Sequence, residues 1–205
     1  MSNTMFRLFA IVSCAFLSGC LDSPSPNATG SGVSSSEQRT IPRVNEVELY
    51  GVGALTVDSG GEPNLTIEAD DNMLQYVESS VDGETLRVGV GNGTYVWNTG
   101  YPRISLEGVN ASSYELSGQT QLVLNEVELE SLSLSLDGQC TVSVNGNIRT
   151  LTIDVAGQCS IDASNASIES IIGNLSGQST LICGETTDVK VEKNKDSVIQ
   201  RVEPK

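Results

Sequence analysis

The sequence contains no histidine and few basic residues, and both shortages exclude classes of function. Its 205 residues include 11 Lys and Arg against 26 Asp and Glu, for a formal net charge of −15. Without imidazole the chain lacks the commonest acid–base catalyst and the commonest metal ligand. A strongly negative body also repels nucleic acid, which we therefore exclude as a partner. Aromatic residues make up only 4% of the chain, so a cluster of them is informative.

Long hydrophobic runs are also missing, since a transmembrane helix needs about 20 apolar residues. The longest run is the ten-residue segment from Leu8 to Leu17, which follows the basic Arg7. It ends in Leu17-Ser18-Gly19-Cys20, which resembles the bacterial lipobox. This order is typical of a signal peptide. We predict that residues 1–19 are removed and that Cys20 is lipidated; Cys14 fits the motif more loosely, after a shorter apolar run.

The resemblance to lipoproteins implies that Cys20 carries a diacylglyceryl thioether and an acylated amine, with palmitate-type chains. Several acyl chains, at about 0.8 kcal/mol per buried methylene, make a stable membrane anchor. Leu21, and not an aspartate, follows the cysteine, which favours the outer membrane if the organism has two membranes. Loss of Arg7 leaves 10 basic and 26 acidic residues. The predicted mature protein is therefore a strongly acidic, lipid-anchored protein of the cell envelope.

Composition divides the mature chain into two parts. Residues 20–43 are rich in Ser, Pro, Gly and Asn, and we predict that they form a disordered tether after the lipidated cysteine. From Val44 the pattern changes to short runs that alternate apolar and polar residues, which predicts half-buried strands. Asp82-Gly83 is typical of a hairpin turn, and a helical turn is expected only between Asp71 and Val77.

A repeat of about 20 residues is the strongest pattern in the sequence. A Gly-Gln pair recurs four times, at Gly118, Gly138, Gly157 and Gly177. Apolar residues recur two residues before each glycine and four after it, so even offsets from the glycine are expected to point inward. Self-similarity at a fixed short period indicates stacked structural repeats, and period-two alternation makes them β-strands. We predict an all-β domain over residues 44–205, a short β-solenoid with coils of about 20 residues preceded by a small strand and hairpin region.

The same residues resemble a known family, the bacterial proteins described as putative auto-transporter adhesin, head GIN domain. Gly51-Val52-Gly53-Ala54-Leu55-Thr56-Val57 is similar to the family's opening motif, and Thr85-Leu86-Arg87-Val88 to the strand after its first hairpin. The Gly-Gln turns stand where the family has Gly-Ser. The resemblance implies a right-handed β-helix in the cell envelope, of unknown activity.

Two interpretations of one cysteine pair remain open. Cys140 and Cys159 occupy the same repeat position, so their Cα atoms should lie about 5 Å apart on adjacent coils, a separation that a disulfide accepts. The alternative is a stack of small side chains, since Thr120 and Ser179 fill that position in neighbouring coils. Cys183 occupies a core position. Three thiols without histidine do not make a structural zinc site, and we predict no metal and no cofactor.

The best candidate for ligand contact is the aromatic segment with Tyr95, Trp97 and Tyr101. Exposed rings of this kind can stack on a sugar or a peptide, whereas buried ones would cover the open end of the solenoid. Glu126, Glu128 and Glu130 alternate with apolar residues and are expected to form a solvated strand face, with a calcium site as the alternative.

These observations support three hypotheses about function. The first is a non-enzymatic adhesion or binding module for an unidentified envelope polymer or protein, held at the membrane by its lipid. The second is a polysaccharide-active β-helix enzyme, which the shortage of bases disfavours. The third is a purely structural envelope lipoprotein. We predict no catalytic residues.

Overall fold

A computed structural model describes residues 27–184 and 187–202. Within them the protein is all-β, with one short 3₁₀ turn at Leu74–Tyr76 inside the segment expected to form a helical turn. The strands are β1 (Asn27–Thr29), β2 (Ser34–Thr40), β3 (Glu46–Tyr50), β4 (Val52–Asp58), β5 (Asn64–Asp70), β6 (Val77–Asp82), β7 (Thr85–Val90), β8 (Thr94–Val96), β9 (Arg103–Glu107), β10 (Ser113–Gly157), β11 (Ser160–Leu175), β12 (Thr180–Gly184), β13 (Asp188–Lys193) and β14 (Val198–Val202). No helix in this part of the chain has the length and hydrophobicity of a membrane span. Cys20 and the predicted signal peptide lie outside the described residues.

Each Gly-Gln repeat forms one layer of a parallel stack. Val142 pairs in register with Ile161, and Ile161 pairs with Leu181, so neighbouring layers are one repeat apart in sequence. Strand β10 has 45 residues and would be about 150 Å long if it were straight. It instead bends and continues into the next layer, where Ser133 N donates to Ser112 O at 2.8 Å. One sequence repeat therefore forms one layer of the parallel stack.

The corners between strands explain why glycine recurs. Gly118, Gly138, Gly157 and Gly177 all have φ between 77° and 110°. The glycines also stack on one another, because a Cβ on Gly157 would lie 2.3 Å from the carbonyl oxygen of Gly138. Positive φ and lack of space both exclude a side chain at these positions.

Apolar side chains fill the interior between the corners. The even offsets from each glycine that were predicted to point inward are buried, as Leu116, Leu122 and Leu124 show for the first repeat. Equivalent leucine, valine and isoleucine residues of the following layers continue the same rows. Stacking of like residues on like residues gives one continuous core along the stack.

A column of small hydrogen-bond donors runs up the same corner, two residues after each glycine. It consists of Thr120, Cys140, Cys159 and Ser179, with Ser197 above them, and all are buried. Ser179 Oγ donates to Ser176 O at 2.9 Å, and Ser197 Oγ donates to Gly177 O at 3.1 Å. Thr120 donates to the sulfur of Cys140 at 3.4 Å. The column thus supplies hydrogen bonds within the buried corner, where polar groups are generally paired.

The N-terminal layers are stacked out of sequence order. The layer formed by β3 and β4 lies between β10 on one side and β7 and β9 on the other, with parallel pairing throughout. Beyond β9 the sheet continues with the antiparallel strands β5 and β2, which form its end. The predicted hairpin is present as the antiparallel pair β6 and β7. The segment 108–112 therefore passes over a layer that the chain has already formed.

The prediction of a disordered tether is wrong for residues 27–43. All seven residues of β2 pair antiparallel with β5, from Ser34 with Asp70 to Thr40 with Asn64. Arg39 also donates to Val77 O and to Ser79 Oγ, at 3.0 and 2.8 Å. Low hydrophobicity misled the prediction because an edge strand needs few apolar residues when a neighbouring strand supplies its hydrogen bonds. The first part of the predicted tether, 20–26, lies outside the described residues.

Candidate functional site

An open groove of about 680 Å³ lies on the outer face of the N-terminal layers. Five neighbouring strands, β2, β5, β9, β4 and β10, form its floor, which spans about 19 Å across the strands. Small hydroxyl side chains dominate the lining, among them Ser34, Ser36, Thr56, Thr66 and Ser105. Thr56, Thr66 and Ser105 alternate with core residues, so the same period of two that fills the interior also places hydroxyl groups on this face.

One ion pair lies in the groove. Arg103 contacts Glu68 at 2.6 Å, and Ser34 Oγ donates to the same carboxylate at 2.8 Å. The hydrogen bonds from Arg103 and Ser34 hold the pKa of Glu68 below its ordinary value. The carboxylate is therefore ionised at neutral pH, and the groove carries no net charge from its lining residues. This distinguishes it from the acidic body as a whole.

Tyr101 is the exposed aromatic residue beside the groove. Its side chain is 56% exposed, and its hydroxyl donates to Gln119 Oε1 at 3.4 Å. Pro102 is buried and Arg103 is exposed, so Tyr101 lies two residues from the groove's arginine on the same outward side. An exposed ring next to a row of hydroxyl groups provides an apolar surface and hydrogen-bonding groups side by side.

Tyr95 and Trp97 lie apart from Tyr101 and are half-buried. Both pack against the core. The ring of Tyr95 lies 5.2 Å from that of Tyr76 and 5.9 Å from that of Trp97, between centroids, and both pairs are tilted by about 45°. The structure therefore brings two of the three predicted contact residues together, with Tyr76 as a third member that the sequence analysis missed. Tyr76 was missed because it lies in a separate segment.

A buried carboxylate joins this aromatic segment to the N-terminal strands. Asp70 accepts hydrogen bonds from the backbone N–H groups of Gly32, Asn98 and Thr99, at 2.7, 3.0 and 3.2 Å. Burial raises the pKa of Asp70, but these amide hydrogen bonds outweigh it and leave the pKa below its ordinary value. Next to it β1 pairs in parallel with β8. Residues 27–32 and 94–99 thus form one unit, attached to the last residue of β5 and next to the β2–β5 end of the stack.

The cysteine pair lies in the donor column as expected for adjacent layers. Both Cys140 and Cys159 are free thiols in the structure, and each donates to the backbone, to Asp137 O and to Ala156 O at 3.5 and 3.6 Å. The hydrogen bond to Cys140 and burial raise the pKa of the Cys159 thiol. The two thiols therefore donate hydrogen bonds as the hydroxyl groups of this column do. The disulfide between Cys140 and Cys159 stays a prediction. Cys183 is also buried.

The acidic strand face is exposed, as the alternation predicted. Asn147 donates to Glu128 at 2.6 Å and Arg149 contacts Glu130 at 2.7 Å, so neighbouring layers already bind two of the three carboxylates. Glu126 is the third, with a backbone φ of 52°. Within the described ranges no three side chains of metal-binding type form a group.

Comparison with known proteins decides the family. The model of the family described as "Putative auto-transporter adhesin, head GIN domain" matches residues 44–200. The chain belongs to this family. No match was found among curated proteins.

One of three similar solved structures supports the fold of this head GIN domain. A putative adhesin from Bacteroides fragilis is 14% identical, with a TM-score of 0.63, and the match covers 86% of this chain and 100% of that one. A putative adhesin from Parabacteroides merdae is 16% identical, with a TM-score of 0.49 and coverage of 86% and 99%. A putative lipid binding protein from Parabacteroides distasonis is 14% identical, with a TM-score of 0.47 and coverage of 87% and 100%. At these identities the likeness to the first shows the fold alone.

The groove of this head GIN domain was not found from the sequence. Ser34 and Ser36 fell within the predicted tether, and Arg103 and Ser105 lie on a strand whose neighbours are distant in sequence. Alternation of polar and apolar residues, as in Asn64-Leu65-Thr66, predicted only that the polar side of each strand is exposed. Their convergence depends on the out-of-order stacking, which no local pattern indicates.

Proposed function

We propose that this protein is a lipid-anchored, non-enzymatic binding module of the cell envelope, and that its groove binds a neutral, hydroxyl-rich polymer. The groove itself is the observation that carries the proposal. It is wide, lined by hydroxyl groups and balanced in charge, while the body around it is strongly acidic. Hydroxyl and amide side chains exchange hydrogen bonds with a polymer of the same kind, and Tyr101 supplies a surface for stacking on a sugar ring. Membership of an adhesin family supports a binding role.

The chemistry of the groove supports binding without turnover. Glycoside hydrolysis generally uses two carboxyl groups, one of them held protonated as an acid. Glu68 is the one carboxylate among the described lining residues, and its pKa is lowered by Arg103. A carboxylate with a lowered pKa is a poor proton donor at neutral pH. A polysaccharide-active enzyme is therefore the weaker hypothesis.

We propose further that the parallel layers wind as a right-handed β-helix. A crossover between parallel strands of one sheet is almost always right-handed. The stack of 19–20-residue layers and the recurring corners support this geometry. A rigid stack of this kind would hold the groove at a fixed distance and orientation from the anchored end.

Replacing Tyr101 with alanine should weaken polymer binding by at least about 1 kcal/mol, or roughly fivefold in Kd, because an exposed ring at a contact contributes disproportionately. We would measure binding of the mature chain to a panel of neutral bacterial polysaccharides by surface plasmon resonance. Tyr101→Phe retains the ring and should bind nearly as the wild type does. Val198→Ala, an exposed residue at the opposite end, is the matched control. Undiminished binding by Tyr101→Ala would place the contact elsewhere, and release of hydrolysis or elimination products would contradict a non-enzymatic role.

Replacing Cys20 with alanine should abolish incorporation of labelled palmitate and release the protein from the membrane fraction, because the thioether would have no sulfur to form on. Cys14→Ala is the control and should leave both unchanged. Labelling that survives in Cys20→Ala and disappears in Cys14→Ala would move the lipidation site to Cys14. Separation of inner and outer membranes would test the preference for the outer membrane in an organism that has both.

A further inference from the structure

The end of the stack that carries β1 and β8 differs from the rest of the surface in charge. The two segments that form it, 27–36 and 91–102, contain no charged residue, although the chain has 26 acidic residues in all. Three acids are hydrogen-bonded to these segments. Asp70 is buried, and Glu68 accepts a hydrogen bond from Ser34 while its charge is paired with Arg103. The exposed Asp71 accepts a hydrogen bond from the hydroxyl group of Ser31. An acidic body that approaches a bilayer is repelled least through an end of this kind.

The same end is enriched in exposed apolar and aromatic groups. Val33 is 59% exposed and Val96 is 51% exposed, two of the most exposed large apolar side chains that the structure describes. Behind Val96 lie the half-buried rings of Tyr95 and Trp97, in contact with each other. Valine side chains with tryptophan and tyrosine next to them are the composition of a membrane–water interface, where amphipathic rings lie at the level of the headgroups.

The point at which the described chain begins favours the membrane as the surface that this end contacts. Asn72 donates to Thr29 O at 2.9 Å and Asn98 donates to Gly30 O at 2.6 Å, so the chain enters the described structure at this end and is fixed there. Seven residues separate Cys20 from Asn27, a reach of about 25 Å at full extension. The stack from β2 to β14 is longer, about 40 Å at the usual strand spacing. A lipid on Cys20 therefore keeps the neutral end close to the bilayer.

We infer that the β1–β8 end docks on the lipid headgroups, so that the stack stands on the membrane with its groove facing sideways. This inference rests on the proposed lipid anchor. Lying on its side would instead press acidic faces such as that of Glu126, Glu128 and Glu130 against the bilayer. Val33 and Val96 would enter the interface and Trp97 would lie just above it, within the about 5–10 Å that interfacial groups occupy.

The single tryptophan of the chain makes this testable without a label. The lipidated mature protein would be reconstituted into phosphatidylcholine vesicles that carry bromine either near the headgroup or near the chain ends, and recovered by flotation. We expect shallow bromine to reduce Trp97 emission by about half and deep bromine to reduce it much less. Failure of the protein to float with the vesicles would contradict both the lipid anchor and the docking. Flotation with equal emission in brominated and plain vesicles would overturn the docking alone.

Two matched double variants that introduce charge separate docking from simple proximity. Val33→Asp with Val96→Asp adds two charges to the neutral end and should float as the wild type does while losing the quenching. Ile172→Asp with Val198→Asp adds the same charges to exposed apolar residues elsewhere and should retain it. Quenching that persists in the Val33 and Val96 variant would overturn the role of this end. If that variant fails to fold, the contrast between shallow and deep bromine in the wild type decides.

Discussion

Replacing Val142 with aspartate is expected to unfold the central layers. Val142 is fully buried and pairs in register with Ile161 of the next layer, so a carboxylate there would be surrounded by stacked apolar side chains. A buried charge without a partner costs several kcal/mol, and we expect a loss of about 3 kcal/mol or more in the free energy of unfolding. Ile161→Asp should behave in the same way. Urea unfolding followed by circular dichroism would measure both.

The neighbouring residue provides the control. Thr141 is exposed on the same strand, one position before Val142. Thr141→Asp introduces the same charge on the outward side and should change the free energy of unfolding by less than about 0.5 kcal/mol. Equal stability of Val142→Asp and Thr141→Asp would show that the inward and outward faces have been exchanged.

Replacing Gly157 with alanine is expected to be nearly as damaging, although it adds only one methyl group. Its φ is 110°, which an L side chain rarely adopts, and its Cβ would lie 2.3 Å from the carbonyl oxygen of Gly138 in the layer below. Backbone strain of this kind costs about 1–3 kcal/mol, and relief of the clash would separate the layers. We expect a loss of about 3 kcal/mol in a urea melt.

Substitutions at two other glycines distinguish the cost of backbone strain from the cost of the steric clash. Gly100 has φ of 96° but open space around its Cβ position, so Gly100→Ala should cost only the backbone term, about 1 kcal/mol. Gly60 has neither a positive φ nor a close neighbour, and Gly60→Ala should be neutral. If Gly157→Ala proves no more damaging than Gly100→Ala, the layers are less tightly stacked than the structure shows.

The part of the fold with a regular repeat could be predicted from the sequence. Each layer from Gly118 onward repeats the same pattern of glycine and inward apolar residues, so one alignment of the repeats fixes which side chains are buried. The N-terminal layer around Gly51 has the same sequence pattern, but it was not recognised. Gly51 has Leu49 two residues before it and Leu55 four after it, the pattern of the later repeats, and it lies directly under Gly118. Gly51 was not recognised as a further repeat because 67 residues separate it from Gly118. A search for copies at a fixed spacing of about 20 residues misses a copy at that distance.

The candidate site could be predicted only in part, for a different physical reason. Tyr101 was named with Tyr95 and Trp97 as a candidate contact residue, because aromatic residues are scarce in this chain and the segment contains three of them. The groove beside it was not, because its hydroxyl residues come from strands that meet through long-range pairing. The ordering of residues 34–40 was missed for the same reason. The hydrogen bonds that order β2 come from β5, so the sequence of β2 alone does not indicate them.

The out-of-order position of the layer formed by β3 and β4 has a consequence for how the chain folds. Contacts among the later layers join residues about 20 apart, whereas β3 pairs with residues 39 positions away in β7 and 67 positions away in β10. Short loops close at a lower entropic cost, so the later layers are expected to assemble first. Export of the proposed lipoprotein would deliver the N-terminal segments first. Strands β3 and β4 could then pair with β7 and β9, but their other edges would stay open until β10 had emerged. The end proposed to face the membrane would thus be synthesised first and completed last.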